Sequence, residues 1–447
     1  RPLIGHVSKR IEIETDRAVR GQALITYAAL APDDIIEKLS IYLEEPDPDL
    51  THGALVGILT HNPENEKANG FLLRSVRSVS IQDRLFATKV MADIGSKHFS
   101  GFLVELLEDK EDTILEQAIY AAGQMGDDRL INSLVSKLTN PALLPAASTA
   151  LRLYGEEALY DLDQGFSSPE ASREERLHII DIIRAEGGVR ATEILLRHID
   201  VEQPEIRHRI LLSLAGLHYQ ADPDDQYIFV NKLDEEVYSI TWLLAAMEDI
   251  YDVDQYQLVH SALCHELDVK RDNMLLLISF LFPSIVMLDT RANIDSKVTE
   301  LRIFALEVLD NLLTGEIKQI VLPLLDDLTV AERLTALEEK FPQESMSAEN
   351  RFNDIVESHF DDAFFWTRNT LLYQIGQDRE SGLIGKVRES LQDGEATIRE
   401  TGLWALSRLE PSDLRRTLQI HVGDAHENVS DIVRYLLAGL PEPEPTQ

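Results

Sequence analysis

Residues 71–107 read FLLRSVRSVSIQDRLFATKVMADIGSKHFSGFLVELL, and this stretch decides the fold. Phe71-Leu72-Leu73 leads into a helix that carries Arg84, Gly95 makes a turn, and Phe102-Leu103 with Leu106-Leu107 closes the unit. Apolar residues recur at i, i+3, i+4 and i+7, the period of an amphipathic helix. The same order of features returns downstream. Gly95, Gly126, Gly155 and Gly187 form a column with a near-constant interval of about 30 residues. Arg84 and Arg176 each stand eleven residues before a glycine of this column, and Leu115 and Leu144 hold the matching places between them. Such a period predicts a stack of helical hairpins, each burying its apolar face on its neighbours.

Working outward, Ala118, Ala121 and Ala122 give one helix a small-residue face, and Leu130-Ile131, Leu134 and Leu138 form its partner. Asn140-Pro141 opens the next hairpin, where Ala146-Ala147 and Ala150-Leu151 repeat the small face. Toward the start, Ala23-Leu24-Ile25 with Ala28-Ala29-Leu30, then Ile35-Ile36 with Leu39 and Tyr42-Leu43, are two more apolar faces. The acidic turn Glu44-Glu45-Pro46-Asp47-Pro48-Asp49 separates them from a helix over 50–59. Far downstream the unit returns at an offset of 192: Ile206-Arg207, Ile210-Leu211, Ser213-Leu214 and Leu217 match Ile398-Arg399, Gly402-Leu403, Ala405-Leu406 and Leu409. Between about 222 and 300 the pattern loosens, and helices are expected over 240–251, 256–267 and 272–282. No stretch sustains the alternation of a strand. The expectation is an all-α solenoid, a right-handed superhelix of antiparallel helix pairs with a helical insert. Its expected divisions are N-terminal repeats over 1–221, insert and atypical repeats over 222–341, a linker at 342–350, C-terminal repeats over 351–440 and a loose tail over 441–447.

The chain has 447 residues, too many for one compact core but no obstacle to a stack. Acids outnumber bases 78 to 42, giving a net charge of −36. That balance argues against a phosphate-gripping nucleic-acid protein and against an anionic membrane surface; it reads first as solubility of a long, exposed rod, with a basic partner as the sharper alternative. The single cysteine, Cys264, excludes an internal disulfide and fits a reducing compartment. The apolar run 274–288 is too short to cross a bilayer and contains Pro283, so it reads as a buried helix ending at Phe282. No secretory signal opens the chain, and the first residue, Arg1, reads as the start of a piece of something longer.

Few residues point to chemistry, and neither a cofactor nor a catalytic group is expected. No phosphate-cradling glycine loop is present. His260 and His265 flank Cys264, but residues five apart do not share a helix face. Asp249, Asp252 and Asp254 lack the glycine and terminal Glu of a calcium loop and read as helix-end and turn acids. The candidates for partner binding are a column of cations, Arg84, Arg176, Arg207 and Arg399, and the aromatic cluster Phe364-Phe365-Trp366. The column reads first as a structural ladder in which each Arg ties a turn of its own or the next repeat. Its functional alternative is a row of cations lining a concave face, able to sense a nucleotide. Adjacent helical residues point apart, so all three rings cannot share one core face; the cluster reads first as aromatics buried between helices, and its functional alternative is one exposed ring that anchors a partner.

Two helices, short turns and an Arg in the second helix resemble the HEAT-repeat family. A closer resemblance rests on three segments in order: residues 276–283, LLISFLFP, residues 305–313, ALEVLDNLL, and residues 322–327, LPLLDD. After a repeat array these are similar to the soluble region of bacterial proteins that fuse an ADP/ATP-carrier-like major-facilitator membrane domain to HEAT repeats. The resemblance spans roughly residues 15 to 410. It implies a cytoplasmic, non-catalytic interaction or regulatory module with a membrane transporter domain in cis. None of the carrier's functional residues has a counterpart here. A free-standing adaptor is the alternative expectation.

Overall fold

The computed structural model describes residues 2–30, 35–45, 47–282 and 284–440. Pro46 of the acidic turn, Pro283 and the tail 441–447 lie outside the described residues. All regular elements among the described residues are helical. The chain divides into two compact units, Arg1–Ala191 and Thr192–Gln447. Each is a HEAT-type stack of antiparallel helix pairs.

In the first unit one row of helices runs Arg17–Leu30, Pro48–His61, Ile81–Ile94, Asp112–Met125, Leu144–Tyr154 and Arg173–Glu186, each packed on the next. Shorter helices, Glu66–Val76, Ser100–Leu106, Ile131–Val135 and Leu159–Ser167, form the second layer. Where Arg17–Leu30 crosses Pro48–His61, a Cβ on Gly53 would lie 2.3 Å from the carbonyl oxygen of Gly21, so only glycine permits the approach. Gly95, Gly126, Gly155 and Gly187 all end row helices with positive φ, between 59° and 68°. Their column is therefore a column of helix stops. It continues beyond glycine. His218, Arg379 and Glu410 also have positive φ, 55°, 56° and 48°. His218 follows Gly187, and Glu410 follows Arg379, at the same interval that spaces the glycines.

In the second unit the row runs from Pro204–Gly216 to Gln257–Leu281, Phe365–Asp378, Ala396–Leu409 and Glu427–Gly439. The offset of 192 reflects equal burial: Ile206, Ile210, Leu211, Ser213 and Leu214 are buried, as are Ile398, Gly402, Leu403, Ala405 and Leu406. The loosened region contains a hairpin of two 25-residue helices, Gln226–Ile250 and Gln257–Leu281. The break expected between 267 and 272 does not form. Asp268-Val269-Lys270-Arg271 holds no helix breaker, and the Lys270 ammonium reaches Glu236 at 3.3 Å across the hairpin. Tyr219, Phe229 and Phe280 close the end of this hairpin, with ring centroids 5.5–5.6 Å apart. The excursion from the row is made by Ser284–Ile294, Thr299–Leu312, Gly315–Leu325 and Val330–Leu337, the last packing back on Gln226–Ile250.

The segment 342–350 is tied down at one point. Arg351, only 2% exposed, donates to Asp249 Oδ2 at 2.9 Å, to Asp354 at 3.2 Å and to the Glu344 carbonyl at 2.6 Å. Asp249 also accepts from Ser345 Oγ at 3.2 Å and Met346 N at 3.1 Å. Asp249 is therefore more than a helix-end acid: it anchors a loop distant in sequence. No helix among the described residues is long and apolar enough to cross a membrane. Residues 274–281 of the apolar run form the buried end of Gln257–Leu281, capped by Phe282, and the run from Ser284 on belongs to Ser284–Ile294.

Candidate partner-binding surfaces

The arginine column is built from bonds to loops. Arg84 holds Asp109 at 2.6 Å and the Ser78 carbonyl at 2.9 Å. Arg399 holds Asp424 through two bonds of 2.9 and 2.7 Å, and the Asp393 and Gly394 carbonyls at 2.8 and 3.0 Å. Arg207 donates to the Val201 carbonyl at 2.9 Å. Arg176 donates to the Ser168 carbonyl at 3.0 Å and lies over the Phe166 ring. Two further arginines, Arg302 and Arg368, pair with Asp327 and Asp393. Arg84–Asp109, Arg302–Asp327, Arg368–Asp393 and Arg399–Asp424 thus share one register: the acid always lies at i+25 from its arginine. In three of these pairs the Asp also accepts the backbone N–H two residues on, at Glu111, Glu395 and His426. One carboxylate shapes its own turn and receives the cation of the preceding hairpin. The bonds from Arg399 outweigh burial and hold Asp424 below the usual carboxylate range.

Phe364, Phe365 and Trp366 begin the Phe365–Asp378 helix. Phe364 is buried, Phe365 is half-buried, and Trp366 is 52% exposed. The backbone N–H of Phe364 donates to Glu266 at 3.2 Å, and that of Phe365 donates to Glu205. The cluster therefore sits beside a cleft of about 520 Å³ that sequence reasoning missed. Its walls are Tyr238, Trp242, Phe341 and His359; its carboxylates are Glu202, Asp234, Glu235, Glu266 and Asp362; its cations are Arg207 and Lys270. Trp242 and His359 lie with ring centroids 4.0 Å apart. Glu266 is 5% exposed and accepts from Thr367 Oγ1 at 2.9 Å as well as from Phe364. Burial pushes its carboxyl up to about 7, against the pull of those two bonds and of Lys270. Burial lowers His359, opposed by Asp354 and Asp362.

A second surface lies on Thr299–Leu312. Leu301, Ile303 and Phe304 are 44%, 55% and 61% exposed. Phe304, Val308 and Leu312 line one groove of about 300 Å³, and Ile303, Leu306 and Leu322 another of about 290 Å³. Glu300, Glu307 and Asp310 lie on the same helix, and all three are exposed. Monomer surfaces rarely leave such apolar residues together without a purpose. Elsewhere, Cys264 Sγ lies 3.6 Å from His260 Nδ1, and no group of three His, Cys, Asp or Glu among the described residues is arranged to hold a metal.

No family model and no curated protein sequence matches the chain. Solved structures that resemble it include human deoxyhypusine hydroxylase with glycerol, 16% identical with a TM-score of 0.23, covering 71% of this chain and 97% of that one. An AP-3 complex in an intermediate open conformation is 12% identical with a TM-score of 0.29, covering 97% and 84%. Kap121p bound to RanGTP is 14% identical with a TM-score of 0.30; the match covers 98% of this chain and 45% of that one.

Proposed function

We propose that the chain is a non-catalytic protein-interaction scaffold or regulatory module that acts with a membrane carrier-like protein. The observation that carries the reading is the apolar face of Thr299–Leu312, with Phe304 61% exposed at its centre and three acids around it. Cytoplasmic loops of membrane proteins carry an excess of Lys and Arg. A basic, amphipathic loop of that kind complements an apolar stripe rimmed by carboxylates on a chain of net charge −36. A second copy of the chain would set like charges against each other. The face includes the second of the three segments that resemble the carrier fusions, residues 305–313.

The test is co-sedimentation of the purified chain with membranes of its source cells. Binding is expected, and Phe304→Glu should abolish it, as should prior protease treatment of the membranes. Equal binding to protein-free vesicles, or none to native membranes, would overturn the proposal. Recovery of a soluble partner alone would favour a free-standing adaptor.

A further inference from the structure

The cleft of the second unit is a site of a different kind from the apolar face of Thr299–Leu312, and its walls specify a ligand. We infer that it seats a monovalent organic cation, an alkylammonium or guanidinium group, between the aromatic side chains of Tyr238, Trp242 and Phe341 and the carboxylate of Glu266.

Three observations carry this. First, at about 520 Å³ the cleft has the size of a ligand site, and its aromatic faces attract cations. Second, Glu266 is buried yet only half satisfied. Both of its hydrogen bonds end on Oε2, and Oε1 has no hydrogen-bond partner among the described residues although the side chain lines the cleft. Third, the local charges do not cancel. The Lys270 ammonium is shared with Glu236, itself 4% exposed. With Lys270 so engaged, the five carboxylates that line the cleft face Arg207 as the remaining cation of its lining, and the excess negative charge is one that protons or a bound cation must neutralise. At the mouth, Glu202, Glu235 and Asp362 have no ion-pair partner among the described residues and would draw a cation inward.

The surroundings fix the pH dependence. Glu266 lies beside Glu205, and it shares the cleft with Arg207 from Pro204–Gly216 and with Asp234 and Glu235 from Gln226–Ile250; Glu236 acts on it through the shared Lys270, and His208 is held one step away, on Asn273. His359 and Asp362 approach from the loop before Phe365–Asp378, and Lys270 lies one turn along its own helix. With its carboxyl near 7, Glu266 gains charge between pH 6 and pH 8, so cation affinity should rise about tenfold over that interval. Protonation of His359 at the acid end acts in the same direction.

Calorimetry on the full chain at pH 8 tests the site with four probes: N-acetyl-lysine methylamide, N-acetyl-arginine methylamide, 1,5-diaminopentane and the neutral N-acetyl-norleucine methylamide. The cations should bind at least ten times more tightly than norleucine. Glu266→Gln keeps an oxygen for Thr367 and Phe364; it should lower cation affinity tenfold or more and flatten the pH dependence. Tighter binding of the peptide cations would assign the ligand to a partner's basic side chain, and tighter binding of the diamine to a free amine. Should Glu266→Gln not fold, Glu235→Gln with Asp362→Asn at the exposed mouth should weaken cations, not norleucine, by severalfold. The inference is overturned if folded protein binds no cation, if norleucine binds equally well, or if neither variant alters cation affinity. Because Phe304 is not part of this site, the membrane co-sedimentation result is independent of these outcomes.

Discussion

Replacing Asp424 by alanine removes the carboxylate that receives Arg399 and shapes the turn before Glu427–Gly439. In the structure Arg399 and Asp424 are 15% and 10% exposed, and two bonds of 2.9 and 2.7 Å join them. A charge-assisted contact this shielded contributes about 2 kcal/mol, and the lost bond from His426 N about 1 kcal/mol more. Asp424→Ala should therefore cost about 3 kcal/mol. Arg399→Ala should cost a similar amount, since it also releases the Asp393 and Gly394 carbonyls. The double variant should cost about 2 kcal/mol less than the sum, because the shared contact is lost only once. Stacked repeats open locally, so the assay is amide hydrogen exchange in Ala396–Leu409 and Glu427–Gly439, where about 2 kcal/mol appears as roughly a thirtyfold change in rate. Because Asp424 is held below its ordinary value, its contribution is fully present above about pH 4 and is lost as pH falls through the folded value. Asp424→Asn should erase that acid dependence. Costs that add to within about 0.5 kcal/mol would refute the ladder as an energetic coupling between repeats.

Other consequences are equally direct. Glu266 has a folded value raised to about 7, so ionising it costs stability as pH rises from about 4.5 to 7. Glu266→Gln should stabilise the chain by on the order of 3 kcal/mol at pH 8 and leave it unchanged at pH 4.5, as read by urea unfolding at both pH values. Arg351→Met strands Asp249 in a nearly closed site and should cost about 3–5 kcal/mol, with exchange rising across 342–358. Glu410→Gly relieves a left-handed residue with φ of 48° and should stabilise by about 0.5–1 kcal/mol, whereas Gly126→Ala at φ of 60° should cost about 1 kcal/mol; thermal melts decide both.

The repeat was legible because it is local: glycines that stop helices must recur, and so must the apolar faces between them. The column faded after Gly187 because His218, Arg379 and Glu410 adopt the same backbone without the residue that announces it. The arginines were visible as a column. Their partners were hidden, although an Asp at i+25 from Arg84 and from Arg399, at a turn before a helix, is a readable signal. Lys270 reads as part of a charged turn until the hairpin sets Glu236 opposite it. The cleft was not legible at all. Glu266, Trp242, Glu202 and Thr367 come from four separate segments, and none carries a motif alone. The aromatic cluster lies beside the cleft, where its backbone N–H groups hold Glu205 and Glu266, with Trp366 turned outward.

Contact between Thr299–Leu312 and a membrane carrier-like protein is tested most directly by crosslinking. Phe304 is replaced by a photocrosslinking benzoylphenylalanine in the native cells, with Tyr160, equally exposed, as the control position. A crosslinked product is expected from position 304, and not from 160, in the membrane fraction, and its other component should carry many apolar spans and basic cytoplasmic loops. Crosslinks only to soluble proteins, or equal yields from both positions, would contradict the proposed contact.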